Sequence, residues 1–367
     1  MSEELCLGHM SGCSEEWLGA RDRDACLGFS LALLVQLMYS LRSKASYSAM
    51  TQINVTEYRS LGKWSGRRRE GKVFESEREI DSETLMKVLK HKPGDSQWRG
   101  LAYIIRGALD PERVSSMAAQ LKGSEKFKAR SDGVKLSAAM EQLGTTLYSL
   151  EKDEFIAEMR DFRDNLKAIF GEFNKDIWRL IQSIGVAARR VGAIEKVRVG
   201  KIDDVNMIPV VIRGMQGRSR VDPQMALPPH EDKSQETVAR DMGNEIATIR
   251  HTRAILVPLI QPARGGKLRI FNAKRKHVEA AADLAGIDPA ELKKTDSPGF
   301  YYDRDVLERM SVSWVDVELS PGDICFFAHS FIHAVTAIER GEERLNMVMR
   351  TGLKTNEEGK HELIFYP

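Results

Sequence analysis

His230 and Asp232 stand two residues apart in the stretch LPPHEDKSQ, in a chain that contains only eight histidines. In an extended strand, residues i and i+2 point to the same side, so both side chains can converge on one metal ion while Glu231 points away. Two imidazoles and one carboxylate on one face of a metal are the ligand set of non-haem iron(II) oxygenases, which keep the remaining positions open. The pair therefore predicts two ligands of such a site.

The third ligand must be a second histidine, and the stretch AHSFIHAV offers His329 and His333. We predict His333, because it follows an apolar run that begins after Pro321-Gly322, and because Arg344 lies eleven residues beyond it (344 − 333 = 11). A loop histidine and a hydrogen-bonded core histidine are the alternative interpretations of this pair.

Two arginines lie on one face of the strand predicted in ERLNMVMR, since Arg344 and Arg350 are separated by an even number of residues. A dicarboxylate cosubstrate that chelates iron through its oxo-acid end needs a guanidinium at its far end, where arginine pairs bidentately with a carboxylate. We predict Arg344 as that anchor, and Arg350 as a second residue that binds cosubstrate or substrate. The alternative for Arg344 is a surface ion pair with Glu339 or Glu342.

The elements that must position these residues are short strands after Val199, divided by turns such as Arg264-Gly265-Gly266. A helical insert over about Ala273 to Leu292 interrupts them. Short strands with Gly/Pro corners predict a sandwich or barrel, here a jelly roll. The predicted strands are Met207–Met215, Arg253–Ile260, Gly266–Phe271, Ser313–Leu319, Asp323–Ala328 and Leu345–Arg350.

Helices precede these strands. A buried strand is predicted over Leu101 to Leu109, and a helix over Pro111 to Leu121, where Asp110-Pro111-Glu112 supplies an N-cap, a first-turn proline and an acidic residue. Apolar residues at intervals of three and four predict a long helix from about Lys152 to Arg190, whose stripe is a packing face.

With these residues in place, the sequence resembles the Fe(II)/2-oxoglutarate-dependent dioxygenases: His230, Asp232 and His333 match the metal triad, and Arg344 matches the arginine that binds 2-oxoglutarate. It looks like the free-standing halogenases of hapalindole-type alkaloid biosynthesis and their hydroxylating relatives, which include N-acyl amino acid hydroxylases. The resemblance covers roughly Leu101 to the C-terminus, including YIIRGALDPERVSSMAAQL and VPLIQPARGGKLRIF. It implies a double-stranded β-helix, Fe(II), the cosubstrates 2-oxoglutarate and O2, and a small-molecule substrate such as a natural product or amino-acid derivative.

One residue departs from the halogenase pattern. Those enzymes have glycine or alanine where Asp232 stands, which frees a coordination position for halide, whereas a carboxylate oxygen fills that position. We therefore expect hydroxylation or desaturation and not chlorination.

We predict an α+β fold: an N-terminal extension over residues 1–95, partly disordered or helical, and a dioxygenase domain over residues 96–367, with a helical part over 110–195 and a jelly-roll core over 200–367. The balance of 55 basic and 53 acidic residues gives no case for a nucleic-acid partner. The cysteines have no CxxC spacing, and the apolar run from Cys26 to Leu41 is shorter than the roughly 20 residues that span a bilayer. We expect a cytoplasmic protein without stable membrane insertion; a start at Met50 is an open alternative.

Other functions remain open at this point. A cupin-like protein could bind a metal or ligand without turning it over, and a zinc hydrolase could use the same histidine and aspartate, although no HExxH motif is present. The stripe of the long helix could form a dimer seam, so a homodimer is possible. Asn244, Glu245 and Arg250 are candidate substrate or supporting contacts, and the sequence does not name the substrate.

Overall fold

The computed structural model describes residues 54–59, 70–90, 100–122, 124, 128–129, 138–144, 151–192, 194–217, 225–232, 245–288, 291–292, 301–310 and 312–367. The chain divides into two compact units, Met1–Met50 and Thr51–Pro367, and every described residue lies in the second. Asn244 and the apolar run from Cys26 to Leu41, both discussed above, lie outside the described residues.

The strands in the described residues form two principal sheets and one short hairpin. Their bounds are β1 Asn54–Arg59, β2 Glu70–Glu77, β3 Gly100–Arg106, β4 Lys128–Ala129, β5 Ala138–Leu143, β6 Ile194–Val199, β7 Lys201–Ile202, β8 Val205–Asn206, β9 Val211–Gly217, β10 Met225–His230, β11 Arg250–Ile260, β12 Leu268–Phe271, β13 Trp314–Val317, β14 Ile324–Phe327, β15 His333–Thr336, β16 Glu343–Thr355 and β17 His361–Tyr366.

The large sheet has eleven strands, in the order β1-β2-β3-β14-β11-β16-β9-β5-β4, with β17 beside β16 and β6 beside β17. It is mixed, because β2 pairs with β3 in parallel and β6 pairs with β17 in parallel. The small sheet has the order β10-β15-β12-β13, and its described pairings are antiparallel. Together with the helices, these sheets make the fold α+β.

Helices cover the outer faces of both sheets. Their bounds are α1 Ser82–Lys90, α2 Pro111–Lys122, α3 Lys152–Phe170, α4 Asn174–Val191, α5 Arg275–Ala285 and α6 Arg304–Arg309. Side chains of α1 to α4 share one core cluster with β11 and β16 of the large sheet, and side chains of α5 and α6 share another with the small sheet. None of the helices in the described part of the chain combines the length and apolarity needed to cross a bilayer.

Successive side chains of the central strand β16 point to opposite faces of the large sheet. Leu345, Met347 and Met349 point into the core beneath the helices, whereas Val348 packs with β12 and β13 of the small sheet. The side chains of the neighbouring strand β11 alternate in step with those of β16, because Leu256 pairs with Val348. The even-numbered positions of β16 therefore face the small sheet.

The sequence-based expectations hold for most of these elements, but three details differ. The long predicted helix is two helices, because a short 3-10 turn over Gly171–Phe173 interrupts it, with Gly171 at a φ of +52°. The large sheet already includes β1 and β2, which lie within the residues 1–95 that the sequence analysis assigned to an extension. The predicted strand after Met207 begins later, at Val211.

The turn at Gly265-Gly266 lies against the segment that joins β15 to β16. Gly265 has a φ of +73°, forms a bridge with Ile338, and lies so close to the chain that an added Cβ would stand 1.7 Å from the carbonyl oxygen of Ala337. At Gly266, an added Cβ would meet Pro262 at 2.5 Å and the Cδ of Arg344 at 3.4 Å. Only glycine combines this backbone conformation with this close approach.

We predict that Gly265→Ala destabilises the protein more than Gly286→Ala does. Gly286, after α5, has a similar φ of +65° but nothing within 4 Å of an added Cβ, so its substitution costs only the left-handed strain of about 1–2 kcal/mol. Gly265→Ala adds the clash with Ala337, which costs about 1–3 kcal/mol more. Urea unfolding measures both free energies, and equal losses would contradict the close approach.

Candidate functional site

Two histidines face each other where β10 ends and β15 begins. His230 and His333 are cross-strand partners in the small sheet, and their ring centroids are 4.3 Å apart. Both side chains are buried. The sequence predicted that they converge, and antiparallel pairing of the two strands brings them together.

Asp232 lies in a turn just beyond β10, where its backbone N–H donates to the carbonyl oxygen of His329 at 3.2 Å. One carboxylate oxygen, Oδ1, is 3.9 Å from Nε2 of His230, and the other, Oδ2, is 4.0 Å from Nε2 of His333. The ligand atoms of these three buried residues all lie within 4.8 Å of one another. The three predicted metal ligands therefore form one cluster.

Backbone carbonyls fix the protonation of both imidazoles. Nδ1 of His230 lies 2.8 Å from the carbonyl oxygen of Pro228, and Nδ1 of His333 lies 2.9 Å from that of Phe331. A carbonyl oxygen can only accept, so each Nδ1 carries a hydrogen and donates it, which leaves Nε2 as the nitrogen that faces a metal. This is the usual arrangement of metal-binding histidines, whose second nitrogen donates to a carbonyl or carboxylate.

The charges of the cluster suit a divalent cation. Burial lowers the pKa of His333, more than Asp232 raises it, so the ring is neutral. Burial alone would raise the pKa of Asp232, but the Arg350 guanidinium holds it well below its usual range. An ionised carboxylate and neutral imidazoles are the protonation states in which these residues bind a metal.

Arg350 is the partner of Asp232. The side chain is 1% exposed, and its Nη2 donates to Oδ2 of Asp232 at 3.0 Å. The sequence analysis assigned Arg350 to cosubstrate or substrate binding. The structure places it on the predicted metal ligand, and its contact with a cosubstrate stays a prediction.

Arg344 and Asn346 lie further along the same face of β16. Arg344 is 4% exposed, and burial, with the nearby Arg213, lowers its pKa to about 10, so it is protonated at neutral pH. Asn346 is fully buried, opposite Arg213 on β9. Nε of Arg344 and both polar atoms of the Asn346 amide have no hydrogen-bond partner within the residues that the structure describes. Unsatisfied buried groups of this kind are rare, and a polar ligand, an ion or a water molecule would supply the missing partners.

His329, the alternative third ligand, lies behind Asp232. Its Nε2 is hydrogen-bonded to the hydroxyl of Thr252, and its Nδ1 is 3.9 Å from Oδ2 of Asp232. Burial lowers the pKa of His329 to about 3, although Asp232 acts in the opposite direction, so the ring is neutral. The cluster of converging ligand atoms contains His333 and not His329.

One expectation about a neighbouring residue is wrong. Glu231 does not point out to solvent, because β10 ends at His230, and Glu231 is 4% exposed. Glu245, a candidate substrate or supporting contact, belongs to an ion network. Its carboxylate oxygens accept hydrogen bonds from Nη1 and Nη2 of Arg198 at 2.7 and 2.8 Å, and it pairs with Lys354 at 3.3 Å. Its contact with a substrate stays a prediction. The sequence analysis gave no role to Asn346, although its place between Arg344 and Arg350 on one strand face was visible in the sequence.

Three comparisons with known proteins bear on this cluster. The family model described as "Carrier-protein-independent halogenase WelO5" matches residues 95–358. A search of the curated proteins found no match.

Solved structures with similarity to this chain include dioxygenases, a hydroxylase, an epimerase and a carbocyclase. One is an N-substituted L-amino acid dioxygenase from Burkholderia ambifaria, with 12% sequence identity and a TM-score of 0.44, and the match covers 87% of this chain and 100% of that chain. Another is a prolyl-4-hydroxylase from Pseudomonas putida, with 13% identity and a TM-score of 0.31, and the match covers 67% of this chain and 90% of that chain. A third is the dioxygenase for auxin oxidation 1 of Arabidopsis thaliana, solved with 2-oxoglutarate. Its sequence identity is 8% and its TM-score is 0.35, and the match covers 73% of this chain and 86% of that chain. These TM-scores lie below 0.5, so the likeness by itself assigns nothing to this chain.

We predict that His333→Ala and His329→Ala have unequal effects on metal binding. Loss of a ligand lowers the affinity for Co(II) by more than about 100-fold, beyond the 10–100-fold typical of residues that only support ligands. His329→Ala keeps all three converging ligands, so its affinity falls by less than about 10-fold. Titration calorimetry with Co(II) measures both, and a larger loss in His329→Ala would make His329 the ligand.

Proposed function

The chain belongs to the family of the carrier-protein-independent halogenase WelO5, in the Fe(II)/2-oxoglutarate-dependent dioxygenase superfamily, and from this premise we propose that it hydroxylates or desaturates an unactivated C–H bond of a small molecule. The substrate class is a natural product or an amino-acid derivative. Enzymes of this superfamily use Fe(II), with 2-oxoglutarate and O2 as cosubstrates.

The carboxylate of Asp232 is the observation that carries the choice of reaction. It lies within 4.0 Å of the Nε2 atoms of both His230 and His333, and it is ionised. In a halogenase, halide takes a coordination position that a carboxylate ligand would fill. An aspartate at this place therefore favours oxygenation over chlorination, within a family whose model bears the name of a halogenase.

The residues of the cluster fit an iron ion, and each has a separate task. His230 and His333 would bind it through Nε2, and Asp232 through a carboxylate oxygen. When bound, the iron supplies the activation of O2, coupled to decarboxylation of 2-oxoglutarate to succinate and carbon dioxide. Burial of all three ligands keeps bulk water from the reacting groups.

Arg344 is the proposed anchor of 2-oxoglutarate. Its buried guanidinium lies on the same strand face as Arg350, which contacts Asp232, so a dicarboxylate can extend from Arg344 towards the metal ligands. Burial lowers its pKa only to about 10, which leaves the positive charge intact at neutral pH. A bidentate pair with the far carboxylate fixes the orientation of the cosubstrate.

The two facing sheets with helices on their outer faces agree with the double-stranded β-helix that this superfamily implies. The small sheet contributes His230 and His333, and the large sheet contributes Arg344 and Arg350. We assign the core over residues 200–367 to this fold as part of the proposal.

We predict a visible metal-to-ligand charge-transfer band when the anaerobic protein is mixed with Fe(II) and 2-oxoglutarate. His230→Ala loses the band because a metal ligand is gone. Arg344→Ala still binds iron, but its affinity for 2-oxoglutarate falls about 100-fold, because a bidentate charged pair is worth about 3 kcal/mol or more. A folded wild-type protein without the band, or an undiminished band in His230→Ala, would refute the function.

We predict that turnover adds oxygen or removes hydrogen, and does not add chlorine. Mass spectrometry of reactions with a panel of N-acyl amino acids and indole alkaloids, in chloride buffer, should detect products that gain one oxygen atom or lose two hydrogens. Succinate release that depends on the substrate is the accompanying measurement. Chlorinated products from the wild-type protein would show that Asp232 does not exclude halide.

A further inference from the structure

We propose that Tyr301 is a positioning residue for the predicted metal ligand His230: its ring fixes the plane of the imidazole, so that Nε2 of His230 keeps its direction towards Asp232 and His333. Tyr301 lies between α5 and α6, in the segment that joins β12 to β13. The inference rests on the proposed metal site and adds a residue to it.

The outer edge of β10 is covered by Tyr301 and Tyr302. β10 is the edge strand of the small sheet, and β15 pairs only with its inner side. Tyr301 forms an antiparallel bridge with His230, and the N–H of Tyr302 donates to the carbonyl oxygen of Pro229 at 2.7 Å. Pro228 and Pro229 have no N–H to donate, so this stretch of β10 can only accept. The donors therefore come from the segment of Tyr301, and the pairing sets Tyr301 opposite His230.

The ring of Tyr301 lies against the imidazole of His230. The ring centroids are 5.5 Å apart and the planes are tilted by 34°, within the range in which aromatic rings attract each other. The hydrogen bond from Nδ1 to the carbonyl oxygen of Pro228 fixes one atom of the imidazole, but the ring can still turn about that point. Contact with a flat side chain that is itself buried removes this freedom.

Tyr301 is held in turn by apolar side chains of both sheets. It shares a buried cluster with Met140 and Met215 of the large sheet and with Leu227 and Val335 of the small sheet. A side chain that is packed against two sheets has few accessible rotamers. Tyr301 can therefore impose one orientation on the imidazole, as a rigid supporting residue must.

The other predicted histidine ligand has a neighbour of different origin. The ring of Phe327 meets His333 nearly edge-on, with centroids 5.1 Å apart and planes at 67°. Phe327 belongs to β14, which pairs with β3 and β11 within the large sheet. The framework of the large sheet thus supports His333, whereas the segment between β12 and β13 supports His230. Substitution of Tyr301 therefore acts on one ligand of the pair.

The test measures Co(II) binding by Tyr301→Leu. Leucine keeps an apolar side chain in the cluster but has no flat face, so it leaves the imidazole free to turn. We expect the Co(II) affinity, from titration calorimetry, to fall about 3- to 10-fold, the effect of losing one aromatic pair. We also expect the visible ligand-field bands of bound Co(II) to change, because they report the geometry of the ligands. The melting temperature of the metal-free protein is measured on the same samples.

Two further variants are the controls. Tyr301→Phe keeps the ring, so its Co(II) affinity and its ligand-field bands equal those of the wild-type protein. Tyr302→Phe changes the neighbouring residue, whose ring packs with α5 and α6 and whose hydroxyl has no hydrogen-bond partner among the described residues. It also binds Co(II) as the wild-type protein does. If Tyr301→Leu does not fold, Tyr301→Met takes its place in the same comparison.

Wild-type ligand-field bands in Tyr301→Leu would overturn the inference, whether or not the affinity or the melting temperature falls, because a purely structural residue gives that pattern. Equal spectral changes in Tyr301→Leu and Tyr301→Phe would also overturn it, since the phenylalanine retains the ring contact. Failure of the wild-type protein to bind Co(II) would instead refute the proposed metal site. The two failures are therefore distinguishable.

Discussion

The site depends on one buried ion pair that joins the two sheets. Arg350 belongs to the central strand of the large sheet, and Asp232 lies in the turn after β10 of the small sheet, with Nη2 and Oδ2 at 3.0 Å. Removing either partner would leave an uncompensated buried charge, which is far less favourable than the intact pair. Asp232 stands outside any strand, so strand geometry does not place it. The guanidinium and the backbone bond to His329 hold it beside the histidines.

The histidines are positioned by local hydrogen bonds to the backbone. Each donates Nδ1–H to the carbonyl oxygen two residues earlier in the chain, at Pro228 and Phe331. Each ring is therefore oriented by its own chain segment, and the pairing of β10 with β15 then brings the two rings together. The carboxylate of the cluster depends on contact between sheets, whereas the imidazoles depend on contacts within one sheet.

The parts of the structure that were predictable from sequence are those with a local signal. Residue type and spacing were enough to predict that His230, Asp232 and His333 converge, and the apolar runs of β11, β14 and β16 indicated the central strands. The break at Gly171 was missed because the apolar periodicity continues through it.

The sequence-based predictions were wrong or incomplete where tertiary contacts overrode a local sequence pattern. Glu231 was expected to face outward by the period of two, but that rule ends with the strand at His230. The partner of Arg350 lies 118 residues away in sequence, and the partners of Glu245 lie on other elements, so no pattern in a single segment reveals them. Pairing of β14 with β3 and β11 is equally non-local.

The alternation along β16 has a consequence for protein engineering. Its odd-numbered positions, such as Leu345, Met347 and Met349, belong to the hydrophobic core under the helices, whereas Arg344, Asn346 and Arg350 carry the polar chemistry on the other face. Core-forming and polar residues thus occupy interleaved positions of one segment. A combinatorial library restricted to the even-numbered positions would vary the pocket while the determinants of folding on that strand stay constant.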